Sequence, residues 1–172
     1  MDFLELAKSR RSVRSFENKD VEESLLKKLL EAARAAPSGG NCQPWRFYVI
    51  RNKETIQKIR DFSCKQPFIA TAPVLFVVCA ESARSEKRYK ERGGELYCIQ
   101  DTAAAVQNIL LCAVSLGLGA CWCGHFDEKE LSEILNLDAG LRPVAVIPVG
   151  YPKAEAAART ERRPIDEIAT FI

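Results

Sequence analysis

The residues most able to do chemistry fall into a few short clusters. Arg10, Arg11 and Arg14 place three guanidinium groups within five positions, and Ser12 adds a hydroxyl between them. Arginine presents a rigid fork of donors that matches phosphate oxygens. The same cluster also reads as a solvated basic end answering a helix dipole. The second cluster is Pro37-Ser38-Gly39-Gly40-Asn41-Cys42-Gln43-Pro44-Trp45. Its glycines permit close backbone approach to a ligand. Ser38, Asn41 and Gln43 supply uncharged donors and acceptors, suited to a heterocycle edge or a polyol. The plainer reading is a loop joining a helix to a strand, with Trp45 in the core. Arg159, Arg162 and Arg163 form a third group, either a second phosphate clamp or surface charge. Asp101, Gln107 and Asn108 lie on one helix and read as helix-to-loop contacts, because buried polar groups need partners.

The remaining reactive groups are sulfur and one imidazole. The chain has 172 residues, seven cysteines and one histidine, His125. A His-rich metal site is impossible, and any Ser-His-Asp or Cys-His mechanism would have to run through His125. No Cys-x-x-Cys pair occurs, and most cysteines sit among apolar neighbours, where a free thiol packs as a small hydrophobe. Cys121 and Cys123 are the one close pair; on a strand their side chains would share a face. Packing is the preferred reading for both, and a surface or packing role for His125. Chemistry in such a chain points to a cofactor.

These clusters need elements to hold them. Leu25, Leu26, Leu29, Leu30 and Ala33 recur at helical spacing, predicting a helix over Glu22 to Ala36 that Pro37 stops. A short helix is expected over Phe3 to Lys8 and a surface helix over Lys53 to Phe62. The longest helix spans Glu95 to Leu116, ended by Gly117, and is apolar on most sides. That pattern suggests a second subunit covering one face. Asp127 caps a helix over Glu128 to Leu135. Strands are expected over Trp45 to Ile50, Val74 to Cys79, Ala120 to Cys123 and Pro143 to Val149, with a candidate at Glu167 to Phe171. Val74 to Cys79 is a continuous apolar run, the mark of a strand buried on both faces. Pro148 is tolerated only near a strand end or at an edge. Ala83 to Gly94, dense in charge and ending in two glycines, reads as a mobile connection. The whole of 1–172 reads as a single α+β domain.

Composition narrows the partners. The formal net charge is +2, with 47% hydrophobic and 28% charged residues. No strong field draws the chain to nucleic acid or membrane, and Arg10, Arg11 and Arg14 lack the aromatic-studded basic stripe of a nucleic-acid binder. The N-terminus is no signal peptide, and the apolar stretch Pro67 to Ala80 is too short to span a bilayer. Unpaired cysteines and no targeting segment give a cytoplasmic expectation.

In this order the motifs resemble the nitroreductase family of FMN-dependent oxidoreductases. The matching stretches are Arg10 to Phe16, Pro37 to Trp45, Asp101 through Gln107-Asn108, Gly117 to Trp122, Pro148 to Pro152, and Arg162 to Ile168. The resemblance implies a sandwich with a central, mostly antiparallel sheet flanked by helices, in an intertwined homodimer with FMN at the subunit interface. It implies Arg10, Arg11 and Ser12 on the FMN phosphate and ribityl chain, and Arg14 near the flavin N1/O2 edge. Arg162, assisted by Arg163, would reach the phosphate. Pro37, Ser38, Gly39 and Asn41 would come from the partner subunit, with Gln43 nearby. Cys121, Cys123 and Gly124 match the backbone beside the flavin face and N5. Catalysis would reside in flavin N5 rather than a side chain, with no metal. NADH or NADPH would donate electrons, and a nitro compound, quinone or similar small acceptor would take them by ping-pong turnover. The stretch from Glu81 to Gly94 is short for the family. That leaves a flavin-binding protein without turnover, for storage or regulation, or a branch with different flavin chemistry, as alternatives.

Overall fold

The computed structural model describes residues 2–154 and 160–172; Arg159 lies outside the described residues. The frame is set by two long apolar runs. Strand β2 (Val74–Glu81) and strand β4 (Leu141–Gly150) pair antiparallel in the middle of the sheet. Strand β1 (Trp45–Ile50) joins the outer side of β2, and the two-residue β3 (Gly119–Ala120) pairs with β4. The order is β1-β2-β4-β3, antiparallel throughout. Pro148 pairs opposite Leu75 two residues from the end of β4.

Period-two alternation divides β2 between two cores. Val74, Phe76 and Val78 pack with Leu26, Leu29 and Ala33 of helix α2 (Glu23–Arg34) and with Ala105, Val106 and Ile109 of helix α5 (Cys98–Ser115). Leu75, Val77 and Cys79 face the other way, onto Ile56 of helix α3 (Lys53–Lys58), Ile59, Ile69, and Leu131 of helix α6 (Glu128–Leu135). Helices therefore cover both faces of the sheet, the α+β arrangement expected. By composition, helix α5 is apolar enough to cross a membrane, but Ala105, Val106, Ile109, Leu110 and Ala113 are buried in the core.

Helix ends follow their capping residues. Helix α1 (Phe3–Ser9) begins in a reciprocal box: the Glu5 N–H donates to Asp2 Oδ1 at 2.8 Å and the Asp2 N–H to Glu5 Oε2 at 3.1 Å. The Glu130 N–H donates to Asp127 Oδ1 at 3.0 Å, the cap expected for α6. Helix α5 closes as expected at Gly117, which has φ +72, and the Leu118 N–H returns to the Ala113 carbonyl at 2.8 Å.

Three expectations change. Ala83 to Gly94 is no loose connection: most of it lies in helix α4 (Ser82–Arg92), interrupted by Lys90 at φ 55, ψ −147. The chain then turns through a wide helical segment, Gly93–Tyr97, directly into α5. Gly93 sits so close to Ser85 that a Cβ would lie 2.3 Å from the Ser85 carbonyl oxygen. Its absence lets the two segments pack. A helix this polar has no apolar stripe, which is why periodicity missed it. The candidate strand Glu167 to Phe171 is replaced by the single-turn helix α7 (Ile165–Ile168), entered from Pro164. Ala120 to Cys123 is only partly regular. Its ladder stops at Ala120, and Cys123 rejoins β4 through an isolated bridge to Val146.

Candidate functional site

The segment Arg10–Arg14 leaves helix α1 and runs beside β3. Ser12 bridges to Ala120 in parallel sense, and the Val13 N–H donates to the Ala120 carbonyl at 3.0 Å. Gly119 makes that approach possible, since a Cβ there would lie 2.8 Å from the Val13 side chain. With Val13 and Phe16 buried as anchors, Arg10 and Arg11 are half-buried and Arg14 is exposed.

The arginines do not all point alike. The Arg11 guanidinium donates to the Lys8 carbonyl at 2.6 Å and the Arg10 carbonyl at 3.1 Å, folding onto the end of α1. Arg10 and Arg14 instead act on Cys121, whose thiol is brought down to about 7. The largest cause is a hydrogen bond from the Cys123 thiol. The positive charge of Arg14, the Ser12 hydroxyl and the charge of Arg10 add to it, against the opposing effect of burial. The Cys123 thiol is pushed up by its bond to Cys121, by burial and by the negative charge of Cys121. Arg14 also lies 5.9 Å from the Phe68 ring centroid.

The backbone of residues 120–124 completes this edge. The Cys121 and Cys123 N–H groups are engaged with the Pro148 and Val146 carbonyls at 3.3 and 2.9 Å. Gly124 is exposed, and its N–H has no acceptor among the described residues. Two guanidiniums, a hydroxyl and a free backbone donor on one edge form a donor set suited to a phosphorylated polyol joined to a heterocycle. His125 follows on the surface, where its carbonyl accepts from Gln66 at 3.4 Å.

The loop after α2 is equally organised, but elsewhere. Its chain takes left-handed backbone at Gly40, Asn41 and Gln43. The Gln43 N–H donates to Ser38 Oγ at 3.0 Å, and the Gly39 N–H donates to both oxygens of Asp101 at 3.1 and 3.2 Å. Burial raises the Asp101 carboxyl, partly countered by that N–H. Asn108 donates to the Ala32 carbonyl at 2.9 Å. Asp101 and Asn108 are thus the contacts expected of them. Arg84 and Arg88 were not singled out by sequence. From α4 they donate to the Cys42 and Gly40 carbonyls at 3.0 and 3.2 Å. Their four-residue spacing on one helix face was the available signal. Tyr97 packs against Gly39 and meets Tyr89 edge-on at 5.1 Å. Pro37, Gly40 and Asn41 remain exposed. A cleft of about 430 Å³ opens beside them, lined by Asn41, Cys42, Ala83, Arg84 and Lys87.

Within one chain these halves stand apart. Ser12 lies beyond the C-terminal end of α5, at Ala120, whereas Gly39 lies against its first turn, at Asp101. At 1.5 Å per residue, the helix between Asp101 and Ser115 separates them by about 20 Å. The tail is separate again. Residues 160–172 are all exposed, and Arg163 closes onto Glu167, with distances of 3.1 Å to Oε2 and 2.8 Å to its carbonyl. Arg162 is exposed beside it.

This architecture has known counterparts. A model of the nitroreductase family matches residues 7–66 and 63–151. A Methanothermobacter thermautotrophicus protein described as NADH dehydrogenase/NAD(P)H nitroreductase is 37% identical over 163 residues, covering 92% of this chain and 82% of that protein. A nitroreductase family protein from Clostridium difficile 630 superposes with a TM-score of 0.88 at 32% identity, covering 99% of this chain and 98% of that one. An FMN-dependent nitroreductase from Clostridium difficile R20291 superposes with a TM-score of 0.83 at 26% identity, covering 98% of each. The chain belongs to the nitroreductase family.

Proposed function

We propose that the chain is an FMN-dependent oxidoreductase that carries electrons from NAD(P)H to a small organic acceptor, such as a nitro compound or a quinone, in two alternating half-reactions. Family membership supports the NAD(P)H-dependent oxidoreductase activity and the use of FMN. The observation that carries the site assignment is the convergence of Arg10, Ser12 and Arg14 on the Cys121–Gly124 segment.

Bound FMN supplies the two-electron chemistry. The residues of the chain bind and orient it. Arg10 and Arg11 hold the phosphate, Arg11 after leaving the carbonyls it now caps. Ser12 holds the ribityl chain. Arg14 places a fixed cation beside the ring edge that gains negative charge on reduction. Cys121, Cys123 and Gly124 form the backbone wall at the ring face, with the free Gly124 N–H as its donor.

The second wall comes from another copy of the chain. Pro37, Ser38, Gly39, Asn41 and Gln43 are too far from Ser12 to share one flavin within a chain, so a homodimer closes the site with one set from each subunit. The exposed tail supports the same reading. Ile165, Ile168 and Phe171 are 71%, 63% and 91% exposed, as are Phe3 and Leu4 of α1 at 73% and 60%. Apolar side chains so fully exposed are the surface a second copy would bury. In that dimer Arg162 and Arg163 reach the phosphate.

The purified protein is expected to be yellow, or to become so with added FMN, and to oxidise NADH or NADPH when given a quinone or nitroaromatic. A preparation that stays colourless with added FMN overturns the reading. One that is yellow but consumes no NAD(P)H with any acceptor points to a flavin-binding protein without turnover.

A further inference from the structure

Trp122 is a large side chain that packs on neither core. It is 41% exposed, and among the described residues its indole stacks on no other ring. Tryptophan is usually well buried, because so large an apolar body gains much from leaving water. The backbone fixes where this one stands. The Cys121 and Cys123 N–H groups donate to the Pro148 and Val146 carbonyls, which holds the segment extended beside β4. Side chains alternate along such a segment. Cys121 and Cys123 point into the core, so Trp122 and Gly124 share the outer face. Apart from its chain neighbours, a Cβ added at Gly124 would meet only Trp122 Nε1, at 3.9 Å, within 4 Å. The indole thus borders open space over a residue with no side chain. Backbone groups alternate too. Those of Cys121 and Cys123 face β4, and the Ala120 carbonyl faces away, to the Val13 N–H. The Trp122 and Gly124 N–H groups therefore face the edge that carries Arg10 to Arg14, and neither has an acceptor among the described residues.

We propose that Trp122 is a further FMN-binding residue, its indole the aromatic surface against which the flavin ring packs beside Gly124. The proposal rests on the reading that this edge holds FMN. Three observations favour a flat heterocycle over a second copy of the chain as the occupant. The open space is bordered by an aromatic plane and floored by backbone with no side chain at Gly124. Its edge offers two unpaired N–H donors, which an apolar protein surface would leave unsatisfied. The arginines and hydroxyl suited to a phosphorylated polyol stand at the same segment, where Ser12 bridges to Ala120. The apolar residues of α1 and the tail, not Trp122, form the surface assigned to the second subunit. An indole contributes to such a site through the area it buries and through offset or edge-on contact with the ligand ring. Stacking of this kind is sequence-independent on the ligand side, so it holds the ring while the arginines hold the phosphate.

Flavin emission reads the contact, because an indole against a flavin ring quenches its fluorescence and a phenyl ring does not. Flavin-free wild type, Trp122→Phe, Trp122→Ala and Phe62→Ala are titrated with FMN. Affinity is measured by ultrafiltration, independently of emission, and light scattering records the oligomeric state. Flavin bound to the wild type is expected to be dark. Trp122→Phe keeps an aromatic surface, and should bind within about threefold of wild type but with bright flavin. Trp122→Ala should bind about tenfold more weakly, and also bright. Phe62→Ala removes a ring that is 56% exposed on another segment, and should match wild type. Bright flavin on the wild type, dark flavin on Trp122→Phe, or an affinity of Trp122→Ala within about twofold of wild type overturns the proposal and leaves FMN binding standing. Dimers that come apart in both Trp122 variants but not in Phe62→Ala assign the indole to the subunit contact, and overturn it as well. A wild type that binds no FMN overturns the oxidoreductase reading and the proposal together.

Discussion

The Asp101 carboxylate, in the first turn of α5, accepts the Gly39 N–H through both oxygens, at 3.1 and 3.2 Å and across 62 positions of chain. This one contact fixes the Pro37–Gln43 loop to the helix that also fixes, at its far end, the start of β3. The two halves of the candidate site are thereby mounted on opposite ends of one rigid rod.

Removing that anchor should loosen the loop without unfolding the chain. Asp101→Ala is expected to weaken FMN binding about tenfold, in keeping with loss of a charge-assisted hydrogen bond of about 1.5 kcal/mol. Isothermal titration of the flavin-free protein reads the change. Unaltered affinity would separate the loop from the flavin.

Asp101 also gives a pH signature with a definite sign. Burial raises its carboxyl above the ordinary 3.8. As pH rises past that value, the unfolded chain gives up this proton first and the folded chain keeps it, so the contribution to stability falls. Asp101→Asn cannot ionise and escapes this loss. In urea unfolding, the stability of the variant relative to wild type is expected to increase with pH over the interval just above 3.8 and then level off. A difference constant with pH would contradict the assignment.

Arg10→Ala should weaken FMN binding by tenfold or more, because Arg10 is half-buried at the cationic edge. His125→Ala, on the surface, should leave it within about twofold, a difference of less than 0.5 kcal/mol. Flavin fluorescence titration of the two variants compares them directly. Equal affinities would refute the site map.

The core offers a calibration. Leu29 is fully buried between α2, α5 and the sheet. Leu29→Ala is expected to cost about 3 kcal/mol by denaturant unfolding. A loss below about 1 kcal/mol would mean the site at this face collapses freely.

Much of this arrangement is legible in the residues. The leucine spacing of α2, the unbroken apolar run of β2 and the Gly117 cap of α5 are local signals, and each became the expected element. The clusters at 10–14 and 37–43 stood out by composition, the first for its arginine forks and the second for its glycines, amides and hydroxyl, while Arg11 follows the plainer reading and closes on the end of α1. Three things were not legible. The polar helix α4 has no apolar stripe, and its packing depends on Gly93 meeting Ser85, a contact between segments. The exposed tail was expected to hold a strand, but the chain gives it no partner among the described residues. The lowered Cys121 thiol owes most to Cys123 beside it, and the rest to Arg14, Ser12 and Arg10, more than a hundred positions away, which the apolar neighbours of the thiol gave no sign of.

The central claim is that one flavin is held by Arg10, Ser12 and Arg14 of one chain and by the Pro37–Gln43 loop of another. Hybrid dimers test it most directly. Co-expression of Arg10→Ala and Asp101→Ala chains carrying different affinity tags permits isolation of dimers with one copy of each, for titration with FMN. If each site draws on both chains, one site in the hybrid carries both defects and the other carries neither, so each dimer regains one site of wild-type affinity. If each site belongs to a single chain, every site keeps one defect and no tight site returns, which would contradict the account.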